Sequence, residues 1–252
     1  MAVAVVTGGT RGVGAGIARA FLRSGARVVV CGRRPPDAPV TAAGREAQYL
    51  PLDVRDAQAG EELCARVVGE HGSLDVLVNN AGGTPYRPLA EGGAHHHARV
   101  VELNLLAPLH LSRAAHTHMR QQSGGGAIVM VGSVSGGRPS PGTAAYGAAK
   151  AGLENLARSM AMEWAADGVR VNTVVLGMAR TERTELHYGD AEGVAAVSAT
   201  VPMGRLAEPD EVGDACVFLA SDAARYISGA SLAVHGGGER PAFLQAANVN
   251  KP

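Results

Sequence analysis

The chain has 252 residues, 46% of them hydrophobic and 18% charged, which is enough for one large α/β domain with a sizeable core. Lys plus Arg equals Asp plus Glu at 23 each, so no net field recruits nucleic acid or an anionic membrane. The three cysteines, Cys31, Cys64 and Cys216, lack C-x-x-C spacing; they argue against a disulfide framework or a structural zinc and fit a reducing cytoplasm.

Val3-Ala4-Val5-Val6 is an apolar run that leads without a basic leader into T-G-G-T-R-G-V-G, Thr7 to Gly14. A helical pattern follows through Ile17, Ala18, Phe21 and Leu22, and stops at Ser24-Gly25. Arg27 to Cys31 is then a second buried strand. Strand, glycine turn, helix and strand make a βαβ unit. Glycines at such a turn let the backbone approach a pyrophosphate, and the helix N-terminus offers N–H groups and a positive dipole end. The spacing is G-x-x-x-G-x-G across Gly8, Gly12 and Gly14, not the usual G-x-G-x-x-G.

The end of the second strand bears on the choice of cofactor. An NAD site wants a carboxylate there for the ribose 2′-hydroxyl. This chain has Gly32-Arg33-Arg34, with no acid until Asp37. A guanidinium suits a 2′-phosphate through bidentate bonding, and Arg11 in the glycine turn adds a second cation. NADP(H) is favoured, and NAD(H) stays open.

Ala47–Leu52 reads as a third strand. It ends in Asp53, whose carboxylate either bonds the adenine amino group or caps a turn. Ala57–Glu70 is helical and closed by His71-Gly72, and Leu74–Val78 is a fourth strand. A long helix carries Val100, Val101, Leu103, Leu105 and Leu106 together with Asn104, a polar residue in an apolar stretch. Asn104 must find partners, either by organising a buried water or by capping a kink. His95, His96 and His97 are consecutive, so at most two face one ion, and a solvated helix face is the reading adopted. No metal is expected.

Ala127–Val131 is a fifth strand running into Ser133. The loop S-V-S-G-G-R-P-S-P-G then leads into a helix from Thr143, an expected N-cap, to about Asp167. On that helix Tyr146 and Lys150 share a face at i, i+4. A cation near a phenol favours phenolate, which lowers a pKa otherwise about 10 and fits the pair for proton transfer. Ser133 sits where a strand's carboxyl end faces the same pocket. Val169–Val175 is a sixth strand, 177–201 shows no sustained period and reads as an irregular functional segment, Glu208–Ala220 is a helix, and Ser231–Val234 is a seventh strand. The expected fold is a single-domain, Rossmann-like, doubly wound α/β architecture over 1–238: a seven-stranded parallel sheet with helices on both faces. A polar tail over 239–252 follows. No apolar run nears the ~18 residues that span a bilayer, so the chain is expected to be cytoplasmic.

These residues resemble the short-chain dehydrogenase/reductase family from Val3 to about Gly238. The motifs are T-G-G-T-R-G-V-G at 7–14, N-N-A-G at 79–82, Asn104, Ser133 and Y-G-A-A-K at 146–150, with the family's thirteen-residue step from Ser133 to Tyr146. The resemblance implies a nicotinamide-dependent oxidoreductase acting on a small carbonyl/alcohol pair, and a homotetramer. It implies Tyr146 as general acid/base and Lys150 as the group that lowers its pKa and holds the nicotinamide ribose. Ser133 would polarise the carbonyl, and Asn104 would hold a water in a proton relay. The cofactor would be bound by Gly8, Thr10, Arg11, Gly12, Val13 and Gly14, by Val54 beside Asp53, by Asn80, Ala81 and Gly82, by Gly177 and Thr181, and by Tyr146 and Lys150. Three positions depart from the family: Leu176 in place of the proline of a P-G turn, His235 in place of Asp, and Gly132 in place of a serine. Two rival readings keep the same fold: an epimerase or dehydratase using the same cofactor, and a non-catalytic nucleotide sensor.

Overall fold

Wholly apolar runs become parallel strands where helices cover both faces of a sheet. In the computed structural model, which describes residues 1–241 and 243, the first half of the chain forms β1 (Val3–Thr7), α1 (Gly12–Arg23), β2 (Arg27–Gly32), the short hairpin β3 (Thr41–Ala42) and β4 (Arg45–Glu46), β5 (Gln48–Pro51), α2 (Ala57–His71) and β6 (Val76–Asn79). After α3 (Ala94–Val101) and α4 (Ala107–Met119) come β7 (Gly126–Val131), α5 (Ala144–Glu163) and β8 (Val169–Leu176). The chain continues through α6 (Thr184–Tyr188), α7 (Ala191–Thr200), α8 (Pro209–Ala220) and β9 (Ser231–Val234).

The seven-stranded sheet has the order β5-β2-β1-β6-β7-β8-β9, and its pairings are all parallel. The chain winds outward from β1 to β5, then returns to β6 on the other side of β1. That reversal opens a crevice at the carboxyl ends of β1 and β6, where α/β sheets bind ligands. Alternate strand residues feed two cores. Val3, Val5, Val29 and Cys31 pack with Leu63, Leu111 and Leu153 under α2, α4 and α5. Ala4, Val6, Val28 and Val30 pack with Ile17, Phe21, Val212 and Leu219 under α1 and α8. The expected doubly wound sheet is therefore present.

α1 and α8 touch through glycines: a Cβ on Gly16 would fall 2.3 Å from the Pro209 carbonyl carbon, and one on Gly213 would fall 2.7 Å from the Gly16 oxygen. Arg19 and Arg23 pair with Asp210, and Arg23 also with Asp214. α2 is capped by Asp56, which accepts from the Ala59 N–H at 3.0 Å, and is closed by Gly72 at φ 84°.

Several sequence expectations are corrected. The 177–201 segment is not irregular but holds α6 and α7. α6 is only five residues long, and α7 buries a single side chain, Val194, so neither shows an apolar period. Its start was signalled by Asp190, which accepts from the N–H groups of Glu192 and Gly193. The long helix around Asn104 is broken by a π-helical turn over Glu102–Leu106. Thr143 precedes α5 without capping it, because its hydroxyl is paired with that of Ser140 at 2.6 Å. The tail expected over 239–252 lies largely outside the described residues, and no helix among those described is long and apolar enough to cross a membrane.

Candidate active site

At the carboxyl end of β1 the glycine turn is held by side chains from β1 itself and from the β6 loop. Thr7 is buried, and its hydroxyl accepts from the Asn80 and Ala81 N–H groups, each at 2.9 Å. Asn80 returns the contact by donating Nδ2 to the Thr7 carbonyl at 2.8 Å. Two glycines are obligatory here. Gly8 has φ 63°, a left-handed conformation that side chains disfavour, and a Cβ on Gly14 would lie 2.2 Å from the Gly8 oxygen and 2.6 Å from Asn80 Nδ2. The turn thus brings backbone N–H groups to the open start of α1, where no acidic residue stands in the first turn and Arg11 makes no capping bond. Val13 packs against the core below. This bare, positive helix end fits a pyrophosphate.

Thr10 lies beside Gly32 at the end of β2, and Arg33 and Arg34 follow it, exposed. Asp53 does not present a free carboxylate to this edge. Arg55 engages it through its guanidinium and backbone N–H, which holds the carboxyl down at about 2, with Arg33 adding to the same effect. Of the two readings of Asp53, the turn cap is the one with geometry. Val54 is partly buried against the core.

Across the crevice, Lys150 is only 3% exposed. Its Nζ donates to the Val131 carbonyl at 2.7 Å, the one hydrogen bond it makes among the described residues. Nζ also lies close to Gly82, where a Cβ would stand 3.5 Å from it. Burial lowers the ammonium from 10.5 to about 8. Tyr146 lies one turn earlier on α5, with Nζ 5.6 Å from its ring centroid.

The expected lowering of the phenol's pKa is corrected. Burial pushes the Tyr146 phenol up; the Ser133 hydroxyl pulls the other way, and the Tyr188 phenol on α6 adds to the rise. Desolvation of the phenol prevails over the attraction assumed from i, i+4 spacing, and the ammonium's own hydrogen bond goes to the Val131 carbonyl.

Ser133, 9% exposed, starts a short 3₁₀ turn and accepts from the Ser135 N–H at 3.2 Å. That loop lies directly on α5. A Cβ on Gly136 would be 2.9 Å from the Ala151 nitrogen, and one on Gly147 would be 2.8 Å from the Ser135 oxygen. These close approaches bring the Ser133 hydroxyl to Tyr146. On the outer rim, the Tyr86 ring sits against Gly142, and the Arg87 N–H donates to the Gly142 oxygen at 2.7 Å.

Asn104 is fully buried inside the π turn. Its Nδ2 donates to the carbonyls of Val100 at 2.9 Å and Gly83 at 3.0 Å, and its Oδ1 accepts from the Gly83 N–H at 2.9 Å. Both donors are engaged with main chain. The extra residue of the π turn frees the Val100 carbonyl, and Asn104 satisfies it. Of the two expectations for this residue, capping a kink is the one these bonds describe; a water would find only the remaining Oδ1 lone pair.

Leu176 keeps β8 paired with Val234 of β9, and the Gly177 N–H donates to the Val234 oxygen at 3.0 Å. A Cβ on Gly177 would stand 2.8 Å from that of His235, which accounts for glycine there. Thr181 begins a turn in which the Thr184 hydroxyl bonds both the N–H and the carbonyl of residue 181, at 2.7 and 2.8 Å. Thr181 packs against Gly12, so this segment closes over the glycine turn. Thr7 and Glu182 escaped the sequence reading. Thr7 stood in plain view at the head of the first motif. Glu182 gave no signal, since its contact, Gly12, lies 170 residues away. Among the described residues, no group of three His, Cys, Asp or Glu side chains could hold a metal.

A family profile described as Enoyl-(Acyl carrier protein) reductase matches residues 8–239. Cis-4-hydroxycyclohexanecarboxylate dehydrogenase of Sinomonas cyclohexanicum is 42% identical over 93% of this chain and 95% of its own. L-rhamnose 1-dehydrogenase (NAD(P)(+)) of Azotobacter vinelandii is 37% identical, over 92% and 94%. The 3-oxoacyl-[acyl-carrier-protein] reductase of Haemophilus influenzae is also 37% identical, over 93% and 97%. A crystal structure described as a short-chain alcohol dehydrogenase from Sinorhizobium meliloti superposes with a TM-score of 0.86 at 34% identity, covering 94% of this chain and 95% of that one.

Proposed function

The chain belongs to the short-chain dehydrogenase/reductase family, and from that premise we propose that this NAD(P)-dependent oxidoreductase interconverts a ketone and a secondary alcohol, with NADP(H) favoured and Tyr146 as its acid/base. The observation that carries the reading is the convergence of Tyr146, Lys150 and Ser133 at the carboxyl end of β7, across the crevice from the glycine turn.

When bound, the nicotinamide supplies or accepts the hydride. The chain's own groups do the rest. Gly8, Gly12 and Gly14 would let the backbone hold the pyrophosphate, with Thr10 next to them. Asn80 and Ala81 hold that turn in place. Arg33 and Arg34 would take the 2′-phosphate, a role that fits the absence of an acid at this strand end before Asp37. Lys150, with its remaining N–H groups, would hold the nicotinamide ribose, and Gly177 and Thr181 would line the same site. Ser133 donates to the carbonyl oxygen. Tyr146 gives that oxygen a proton in reduction and withdraws one in oxidation. Burial keeps the phenol protonated, the form that donates in reduction. Asn104 acts by clamping Gly83, which sets the wall next to Lys150.

The relatives act on an alicyclic hydroxy acid, a sugar and an acyl chain, so the proposal for this chain stops at a small secondary alcohol or ketone. Tyr146→Phe is the test. It should keep the fold and bind NADPH as wild type does, while turnover falls by about 10²–10⁴-fold. Unchanged turnover overturns the assignment.

A further inference from the structure

The bare N-terminus of α1 has an occupant drawn from far along the chain. Glu182 Oε1 accepts from the Gly12 N–H at 3.1 Å, and a Cβ on Gly12 would stand 3.5 Å from Glu182 Oε2. Nothing local explains the contact, because α1 carries neither a capping side chain nor an acid in its first turn. An anion thus sits on the helix end that the site reserves for an anion. The side chain is presented by a firm base. The turn at 181–184 is tied by Thr184, and its root is tied by the Arg180 N–H to the Ala207 oxygen at 2.8 Å and the Ala207 N–H to the Met178 oxygen at 3.0 Å. Glu182 itself is exposed, so its carboxylate is able to swing away while the backbone stays.

We infer that Glu182 is an internal competitor for the pyrophosphate: its carboxylate holds the Gly12 N–H until a dinucleotide displaces it, and so it sets the affinity of the cofactor site. This rests on the proposal that the glycine turn binds a dinucleotide. Two negative groups cannot share one helix end without mutual repulsion, and a charge at that position interacts with the helix by about 0.3–1 kcal/mol. Displacement therefore weakens every ligand that brings phosphate to the turn, NADP(H) and NAD(H) alike, and leaves the choice between them to the β2 edge.

The test is calorimetric binding of ADP-ribose, which carries the pyrophosphate, and of adenosine, which does not. Glu182→Gln and Glu182→Ala should each bind ADP-ribose roughly two- to fivefold more tightly than wild type, with adenosine unchanged. Glu185→Gln, which removes an exposed charge one turn along α6, should leave both constants where they are. Equal or weaker ADP-ribose binding by the Glu182 variants overturns the inference, as does an equal gain in Glu185→Gln, which would mark a general charge effect. Failure of wild type and all variants to bind either ADP-ribose or NADPH would instead remove the dinucleotide site and the competitor with it.

Discussion

The two walls of the crevice are built by opposite means. The glycine turn acts chiefly through main chain, held in position by the side chains of Thr7 and of Asn80 from the β6 loop. The β7–α5 wall acts through side chains, and its backbone glycines, Gly136 and Gly147, serve to bring one loop against one helix. The first wall should therefore fail when atoms are added, and the second when functional groups are removed. Charge follows the same division. The turn offers spread-out dipoles, whereas the opposite wall buries one ammonium that makes a single hydrogen bond among the described residues.

The sharpest break of that contrast is Lys150→Met. Turnover should drop by about a hundredfold or more, yet thermal stability at pH 7 should not fall, because a buried charge has been removed. The sign can be followed with pH. Folded Lys150 titrates near 8 against 10.5 for the ordinary group, so between those values the unfolded chain holds a proton that the folded chain has shed. Wild-type stability therefore rises with pH across that window, and any advantage of the variant shrinks. A Tm several degrees below wild type at pH 7 would show the ammonium to be structural.

On the other wall the matching experiment is Gly14→Ala. One methyl placed 2.2 Å from the Gly8 oxygen should cost about 3 kcal/mol in urea unfolding and abolish NADPH binding. A variant of wild-type stability would mean that the turn relaxes freely. Arg33→Ala is milder: the ratio of kcat/KM for NADPH over NADH should fall about tenfold, the worth of one charge-assisted contact, with the NADH value unmoved. An unchanged ratio would sink the arginine's role in cofactor choice.

The smallest effect probes Gly132, where a serine was the family expectation. A Cβ there would lie 2.8 Å from Thr173 Cγ2, and the buried Thr173 hydroxyl has no partner among the described residues. Gly132→Ser should cost about 1–2 kcal/mol, and most of that should return in Gly132→Ser/Thr173→Ala. Additive losses in this double-mutant cycle would show that the two positions do not share the space.

Much of this architecture was legible in the sequence for a simple reason. Buried parallel strands are written as apolar runs, and a phenol four residues from an ammonium on a helix is a local relation. What was not legible is set by distance in space. The i, i+4 spacing puts Lys150 near Tyr146, but the burial that pushes the phenol up comes from packing around it that no spacing records. α7 was missed because most of it is exposed, leaving no period to read. The π turn at Asn104 is accompanied by a bond to Gly83, 21 residues earlier, and no local pattern announces it.

The packing of α1 against α8 carries a consequence for how the molecule is made. β1 is made well before its partner β6, which lies some seventy residues downstream, and α8, which packs on α1 and over β7 and β8, ends at Ala220. Such long-range closure is slow and leaves apolar strands uncovered in the nascent chain. Nucleotide capture by ribosome-bound fragments should accordingly begin only once α8 has cleared the exit tunnel.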